Sequence, residues 1–223
     1  MQRLESLAVP VWNSPSLVRW NADKRYLLDL ASRGIATVPT MIAAGRTVAG
    51  DVEEIAAARG WSRVAVKPAI SASGQDTYAL RPSFDAAARA KVESAAIGGS
   101  ILVQLFADEV ARDGEFSFTF IDGVLSHATL KRAAAGEFRV QTDHGGSVEH
   151  IDVPEELAHH AQRVLGALPA TPLYARVDGI SRGGTFLLME LELIEPNLFL
   201  GFSPGAVERF AGAIKKRLEL RQN

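Results

Sequence analysis

The chain has 223 residues, 47% of them hydrophobic and 22% charged, and a formal net charge of −2. That length carries one large domain or two small ones with a real core, and the near-neutral balance leaves no basic footprint for nucleic acid. No run approaches the roughly 20 apolar residues that cross a membrane, and MQRLESLAVP lacks a signal-peptide layout. Without cysteine there is neither a disulfide framework nor a thiolate metal site; the profile fits a cytoplasmic protein and leaves room for a homo-oligomer.

In chain order, Met1 to Ser16 reads as the tail end of a preceding unit. Asn21 or Asp23 caps a helix through Ser32, with Tyr26, Leu27 and Leu30 as its apolar stripe and Gly34 as its stop. Ile35 to Val38 is short and extended. Asp51, with Glu54 three residues on, opens a helix reaching Arg59. Arg63 to Lys67 alternates as a strand that Pro68 ends, and a small-residue loop (Ile70 to Asp76) leads to a strand over Thr77 to Leu80. Ser83 caps an Ala-rich helix to about Ala96, and Ile101 to Phe106 is a buried strand.

Glu115 to Ile121 and Val124 to Lys131 form a hairpin closed by Asp122-Gly123, a strong local turn signal. Glu137 to Thr142 reads as a further strand ending at a Gly-Gly loop. Pro154, followed by two glutamates, starts a helix to Leu168. Ser203-Pro204 opens a last helix whose stripe includes Val207, Phe210, Ile214 and Leu218. The pattern predicts an α+β architecture with two mainly antiparallel sheets.

The stretch from Tyr174 to Asn197 reads as two strands joined by a Gly-rich turn. Arg176 and Asp178 share one strand face, as do Glu190 and Glu192. Whether the pairs meet depends on the loop. An odd loop brings them to one side, and a three-residue loop, Gly183-Gly184-Thr185, sets Asp178 opposite Glu190 and Arg176 opposite Glu192. Charges this dense among apolar side chains need partners, and carboxylate oxygens suit Mg²⁺ held together with substrate phosphates.

Lys67 ends a strand beside the loop Ser71-Ala72-Ser73-Gly74, where an ammonium and free N–H groups can hold phosphate oxygens. The GxxxxGK[ST] spacing of a P-loop is missing. Arg139 and Lys131 sit near the Gly-Gly pair and could extend a cationic surface. Five histidines suggest no shared transition-metal site, because His159 and His160 are adjacent and cannot share a helix face.

The order of these elements resembles the ATP-grasp superfamily from Trp20 to Pro196. The resemblance implies an ATP-grasp fold of two α+β subdomains clasping the nucleotide, with residues 61–106 as lid, 107–223 as catalytic subdomain and 21–60 as linker helices. It implies that Lys24 and Lys67 bind phosphates, that Ser73 and Gly74 belong to the loop closing over them, and that Gln104, Leu105 and Phe106 meet adenine. Glu115 takes the ribose, with Glu109 as second choice. Lys131 and Arg139 extend the phosphate site, Arg139 through the segment GEFRVQTDHGG, which is similar to the ligase pattern. Arg176 stabilises the oxyanion, while Asp178, Glu190 and Glu192 hold two Mg²⁺ ions, or Mn²⁺, with Glu190 bridging.

The family pattern ends E-x-N-x-x-P, but here Glu192 stands at the Asn position and the proline is shifted behind Glu195. The site gains a negative charge, and Glu195 and Asn197 face the acceptor. RWNADKRYLLDL, VKPAISASG and MELELIEPNLFL resemble the branch that contains the cycloserine-forming cyclo-ligase acting on O-ureido-D-serine. The expectation is an ADP-forming ligase for a small amino-acid-like substrate. A non-catalytic ATP-binding module and a glutamate-adding peptide ligase stand as alternatives. Residues 1–20 resemble the remnant of the α/β domain that usually precedes the grasp.

Overall fold

The computed structural model describes residues 10–44, 48–71, 74–140 and 142–220. Two antiparallel sheets organise it. The four-stranded sheet has the order β1-β4-β2-β3, from Thr40–Ala43 (β1), Val64–Pro68 (β2), Tyr78–Leu80 (β3) and Ile101–Leu105 (β4). Helices Val48–Arg59 (α3) and Ala86–Ala96 (α4) cover it, burying Val52, Ala56 and Val92 against Val64, Val66, Ile101 and Val103.

The five-stranded sheet has the order β7-β6-β5-β8-β9. Its strands are Glu115–Ile121 (β5), Val124–Arg132 (β6), Ser147–Ile151 (β7), Tyr174–Arg182 (β8) and Thr185–Glu192 (β9). Phe118, Phe120, Val177 and Leu188 meet the first two helices, Pro15–Asn21 (α1) and Tyr26–Ser32 (α2), and the helix Glu155–Gly166 (α6) in one core. In α6 the buried residues Leu157, Ala161, Val164 and Leu165 recur at helical spacing and form its single apolar stripe. The other face of the sheet is polar. Ser117, Thr119, His127, Thr129, Lys131, Arg176 and Asp178 are all buried there, as strand alternation requires when the opposite face is apolar.

The linker ahead of β1 ties the sheets together. Val38 N–H donates to Leu188 O at 2.9 Å, Leu188 N–H to Ala36 O at 2.9 Å, and Leu105 N–H to Pro39 O at 2.9 Å. Residues 21–60 therefore contribute a strand, β1, as well as helices.

Several local expectations are corrected. The β8–β9 turn has two residues, not three: Arg182 pairs with Thr185, and Gly183 and Gly184 have φ of +58° and +81°, the geometry of a tight hairpin turn. An even turn alone would separate the charged pairs, but the register shifts between Asp178 and Gly179, leaving Met189 as an extra residue on β9. Asp178 therefore stands opposite Glu190, and Arg176 opposite Glu192. The added residue restores the parity.

Among the described residues, 137–140 carry no strand, and a short 3₁₀ turn, Thr142–His144, follows. Asp85 rather than Ser83 caps α4, accepting from Ala88 N–H at 2.8 Å. Helix α3 begins at Val48, ahead of Asp51. The helix expected from Asn21 or Asp23 to Ser32 starts later, at Tyr26 (α2), and a separate helix, α1, capped by Ser14, ends at Asn21, which is buried. Ile35 to Val38, expected to be short and extended, makes an isolated bridge, Thr37 to Leu188. The last helix, α7 (Ala206–Glu219; α5 is the short turn Glu109–Arg112), buries Ala206 and Ala213, and Val207 and Leu218 are exposed. The Asp122-Gly123 hairpin forms as expected, with φ of +49° and +80°.

Candidate functional site

Between the sheets lies a cleft of about 510 Å³, within the usual range for small-molecule sites. The four-stranded sheet contributes Lys67, Gln104, Leu105 and Phe106 to its wall, and the five-stranded sheet contributes Glu115, Lys131, Arg176, Asp178, Glu190 and Glu192. Lys24, Gly74 and Arg139 also line it. Ser73 lies outside the described residues. The structure thus gathers every other first-choice site residue predicted from the sequence into one cavity, and leaves out Glu109, the second choice for the ribose.

The cations differ in how they are held. Lys24 follows α1, where its N–H donates to Ala69 O at 2.8 Å. Its ammonium reaches Ser71 O and lies 3.3 Å from Glu190 Oε1. It therefore bridges the small-residue loop and β9. Lys131 donates to Asp178 Oδ2 at 2.9 Å and pairs with Glu115. Arg139 is paired with Glu137 at 2.7 Å.

Lys67 is different. It is 9% exposed and forms no ion pair or hydrogen bond through its ammonium among the described residues. Burial lowers its pKa, although Glu190, Glu115 and Glu192 oppose the shift from a distance. A buried ammonium left without a close partner is costly, and it points into a cleft that can supply an anion.

The carboxylates lie on adjacent strands. Asp178 is engaged at both oxygens: Ser117 Oγ donates to Oδ1 at 2.6 Å, Lys131 holds Oδ2, and Arg176 reaches both oxygens at 3.0 Å. Burial pushes this carboxyl up, but Arg176 and Lys131 outweigh it and hold it well below the usual range. For Glu190, burial also raises, while Lys67 and Lys24 outweigh it and lower the pKa. Glu192 goes the other way, to about 8, driven by burial and by Asp178 and Glu190 against the attraction of Arg176. Glu115 is raised by burial against Lys131.

Glu109, the second ribose candidate, is paired with Arg182 at 2.6 Å and does not line the cleft. Arg176 also donates to Asn197 O at 3.1 Å, contacts Glu192 and lies 5.5 Å from the Phe199 ring centroid. Its pKa is raised despite burial, chiefly by Asp178 and Glu192.

Among the described residues no three His, Asp or Glu side chains are gathered closely enough to hold a metal ion as they stand. The donor chemistry nevertheless fits a hard cation. All the oxygens are carboxylate, and burial first, then Asp178 and Glu190, raise the Glu192 carboxyl against the attraction of Arg176.

At the wall formed by residues 104–106, the Leu105 and Phe106 N–H groups are already engaged by Pro39 O and Arg63 O. The Gln104 side chain turns into the sheet, donating to Thr40 Oγ1 at 3.0 Å. Phe106 is stacked by Arg63, whose guanidinium lies 3.5 Å from the ring centroid.

Sequence reasoning missed the residues that hold β8 and β9 in place. Asn21 donates to Leu191 O at 2.7 Å and accepts from Leu193 N–H at 3.0 Å, while the Tyr26 hydroxyl accepts from Leu191 N–H. Asn13 reaches Tyr174 O and Leu193 O. Asn13 and Asn21 precede and end α1, where a local cap explains them equally well, and Tyr26 reads as part of an apolar stripe, so no motif points across the fold.

No family model matches the sequence. Over 217 residues the chain is 36% identical to the cycloserine biosynthesis protein DcsG of Streptomyces lavendulae, covering 91% of this chain and 72% of that protein. The chain belongs to the DcsG family of ATP-grasp ligases. As an ATP-grasp ligase it falls in a class of enzymes that form C–N bonds. The crystal structure of D-cycloserine synthetase DcsG superposes with a TM-score of 0.81 at 33% identity, covering 91% of this chain and 72% of that one. D-alanine–D-alanine ligase from Bacillus anthracis shares the fold, with a TM-score of 0.73 at 18% identity over 99% of this chain and 75% of that one. So does the ATP-grasp ligase PsnB, at 0.64 and 17%, over 95% of this chain and 65% of that one.

Proposed function

We propose that this ATP-grasp ligase uses ATP and Mg²⁺ to activate a carboxylate of a small amino-acid-like substrate, of the O-ureido-D-serine kind, as an acylphosphate that an amine then attacks. The observation that carries the reading is the opposition, across one cleft, of the buried ammonium of Lys67, unpaired among the described residues, to the buried carboxylate of Asp178 and the half-buried carboxylates of Glu190 and Glu192. A polyphosphate would complete Lys67, and a divalent cation would relieve Glu192.

In this reading Lys24, Lys67 and Arg139 hold phosphate oxygens and Glu115 the ribose, with Gln104, Leu105 and Phe106 against the base. Asp178, Glu190 and Glu192 would hold two ions, with Glu190 shared. When bound, Mg²⁺ supplies charge neutralisation at the transferring phosphoryl group. Lys131 serves as counter-ion to Asp178 and Glu115 rather than as a free phosphate ligand, since both carboxylates engage it. Arg176 stabilises the oxyanion that develops when the amine attacks. Glu195 and Asn197, exposed on the same wall, face the substrate's amino-acid end.

The test is ADP release in the presence of Mg²⁺ and O-ureido-D-serine, with D-alanine and glutamate-tailed peptides as competing acceptors. Release driven by O-ureido-D-serine is expected. ATP binding without ADP release for any acceptor would overturn the catalytic reading, and release only with glutamate-tailed peptides would overturn the substrate class.

A further inference from the structure

The wall of the cleft beyond Glu192 is a strap, residues 194–199, with no regular structure. Ile194, Glu195, Asn197 and Phe199 of this strap line the cavity. Among the described residues, no backbone hydrogen bond from another segment reaches residues 194–198; the bonds that hold these carbonyls come from side chains. Tyr174 OH donates to Ile194 O at 2.8 Å, and Arg176 Nη1 donates to Asn197 O at 3.1 Å. The Leu198 carbonyl accepts twice, from Thr119 Oγ1 at 3.2 Å and from His127 Nε2 at 2.9 Å.

His127 sits on β6 and Thr119 on β5, directly opposite each other in the ladder. Because a carbonyl only accepts, the proton of the neutral imidazole is on Nε2. The tautomer is set from the other side. Ser126 Oγ lies 3.0 Å from His127 Nδ1 and donates to it, while Arg209 Nε, on α7, donates to Ser126 Oγ at 3.0 Å. Arg209 also reaches Pro204 O and Ser203 Oγ. A directed chain of donors thus runs from α7 through Ser126 and His127 to the strap, one peptide unit from the carbonyl that Arg176 holds.

We propose that His127 is a positioning residue for the acceptor end of the cleft: by clamping the Leu198 carbonyl beside Thr119, it sets where Asn197, Phe199 and the Arg176 guanidinium stand. The proposal rests on the ligase reading for its catalytic consequence, but not for the clamp itself. A histidine serving only the core would bond within its own sheet or to a packed helix. His127 instead bonds a segment that lines the cavity and that, among the described residues, is otherwise anchored across the fold by the side chains of Tyr174, Arg176 and Thr119. Its position predicts an effect confined to the acceptor, because the residues holding phosphates and base lie on other segments.

The test compares His127→Phe, which keeps ring volume and removes the donor, with His127→Gln, whose amide nitrogen restores one. In His127→Phe the Michaelis constant for O-ureido-D-serine is expected to rise about fivefold, the worth of one neutral hydrogen bond, with that for ATP unchanged. His127→Gln should recover most of the loss. Hydrogen exchange of residues 194–202 in the ligand-free protein should accelerate in His127→Phe and not in His127→Gln. Unchanged exchange in His127→Phe, or equal losses for ATP and acceptor, would overturn the proposal. If His127→Phe does not fold, Thr119→Val removes the other bond to the same carbonyl and must speed exchange of the strap; no acceleration there would also overturn it. If the wild type releases no ADP with any acceptor, the ligase reading fails while strap exchange still decides the clamp.

Discussion

Replacing Lys67 by methionine separates a ligand-binding lysine from a structural one. The side chain is 9% exposed, its ammonium has no ion-pair partner among the described residues, and burial lowers its pKa. Methionine keeps the aliphatic stem and removes the charge. A charge-assisted hydrogen bond to a phosphate contributes about 1.5–3 kcal/mol, so the dissociation constant for ATP should rise roughly 10- to 150-fold. The ligand-free protein loses no ion pair, and it sheds a buried charge that costs free energy to desolvate. Its unfolding free energy should therefore stay within about 1 kcal/mol of wild type or increase. Calorimetric titration with Mg-ATP and chemical denaturation measure the two quantities on the same preparations. Unchanged ATP affinity, or a ligand-free variant destabilised by several kcal/mol, would refute the reasoning, because either result means that the chain itself satisfies this lysine.

Glu190→Gln should abolish Mg²⁺-dependent turnover while leaving the circular-dichroism spectrum unchanged; retained turnover would remove Glu190 from the metal set. The Glu192 carboxyl is raised to about 8 in the fold, so the native state holds a proton that the unfolded chain releases near the ordinary carboxylate value. Its stabilising contribution is present below about pH 4.5 and is lost as pH rises through about 8. Metal-free wild type should accordingly lose stability relative to Glu192→Gln across that window in denaturant titrations, and parallel profiles would contradict the assignment. Gly179→Ala should destabilise by about 1–3 kcal/mol, the usual penalty of overpacking. A Cβ there would stand 2.3 Å from Leu187 O and 2.5 Å from the Phe186 ring, and an unchanged denaturation midpoint would mean that the bulge is not packed as described.

The two hairpins were legible locally. Asp122-Gly123 and Gly183-Gly184 announce turns that need positive φ, and both adopt it. Strand alternation placed Arg176 with Asp178 and Glu190 with Glu192, because neighbouring side chains on a strand must point to opposite faces. The order of lysines, R-x-D and E-x-E was readable as a resemblance to the ATP-grasp superfamily, carried by short motifs in chain order.

What brought the pairs together was not readable. The sequence alone suggested a three-residue loop, whereas the fold uses two residues and regains the register with a bulge opposite Asp178 and Gly179. Register parity is a property of the whole ladder, and this bulge sits where Phe186 and Leu187 close over a residue that has no Cβ. The lysines carry the same lesson. In the sequence Lys67 and Lys131 are both cations near a glycine-containing loop. Only the packed sheets give Lys131 two carboxylates and leave Lys67 facing the cleft without an ion pair among the described residues. Local chemistry determined which groups the chain carries and which face of a strand they occupy. Long-range packing decided their partners, because a buried charge takes its pKa and its role from neighbours more than 40 residues away in sequence, such as Asp178 for Lys131.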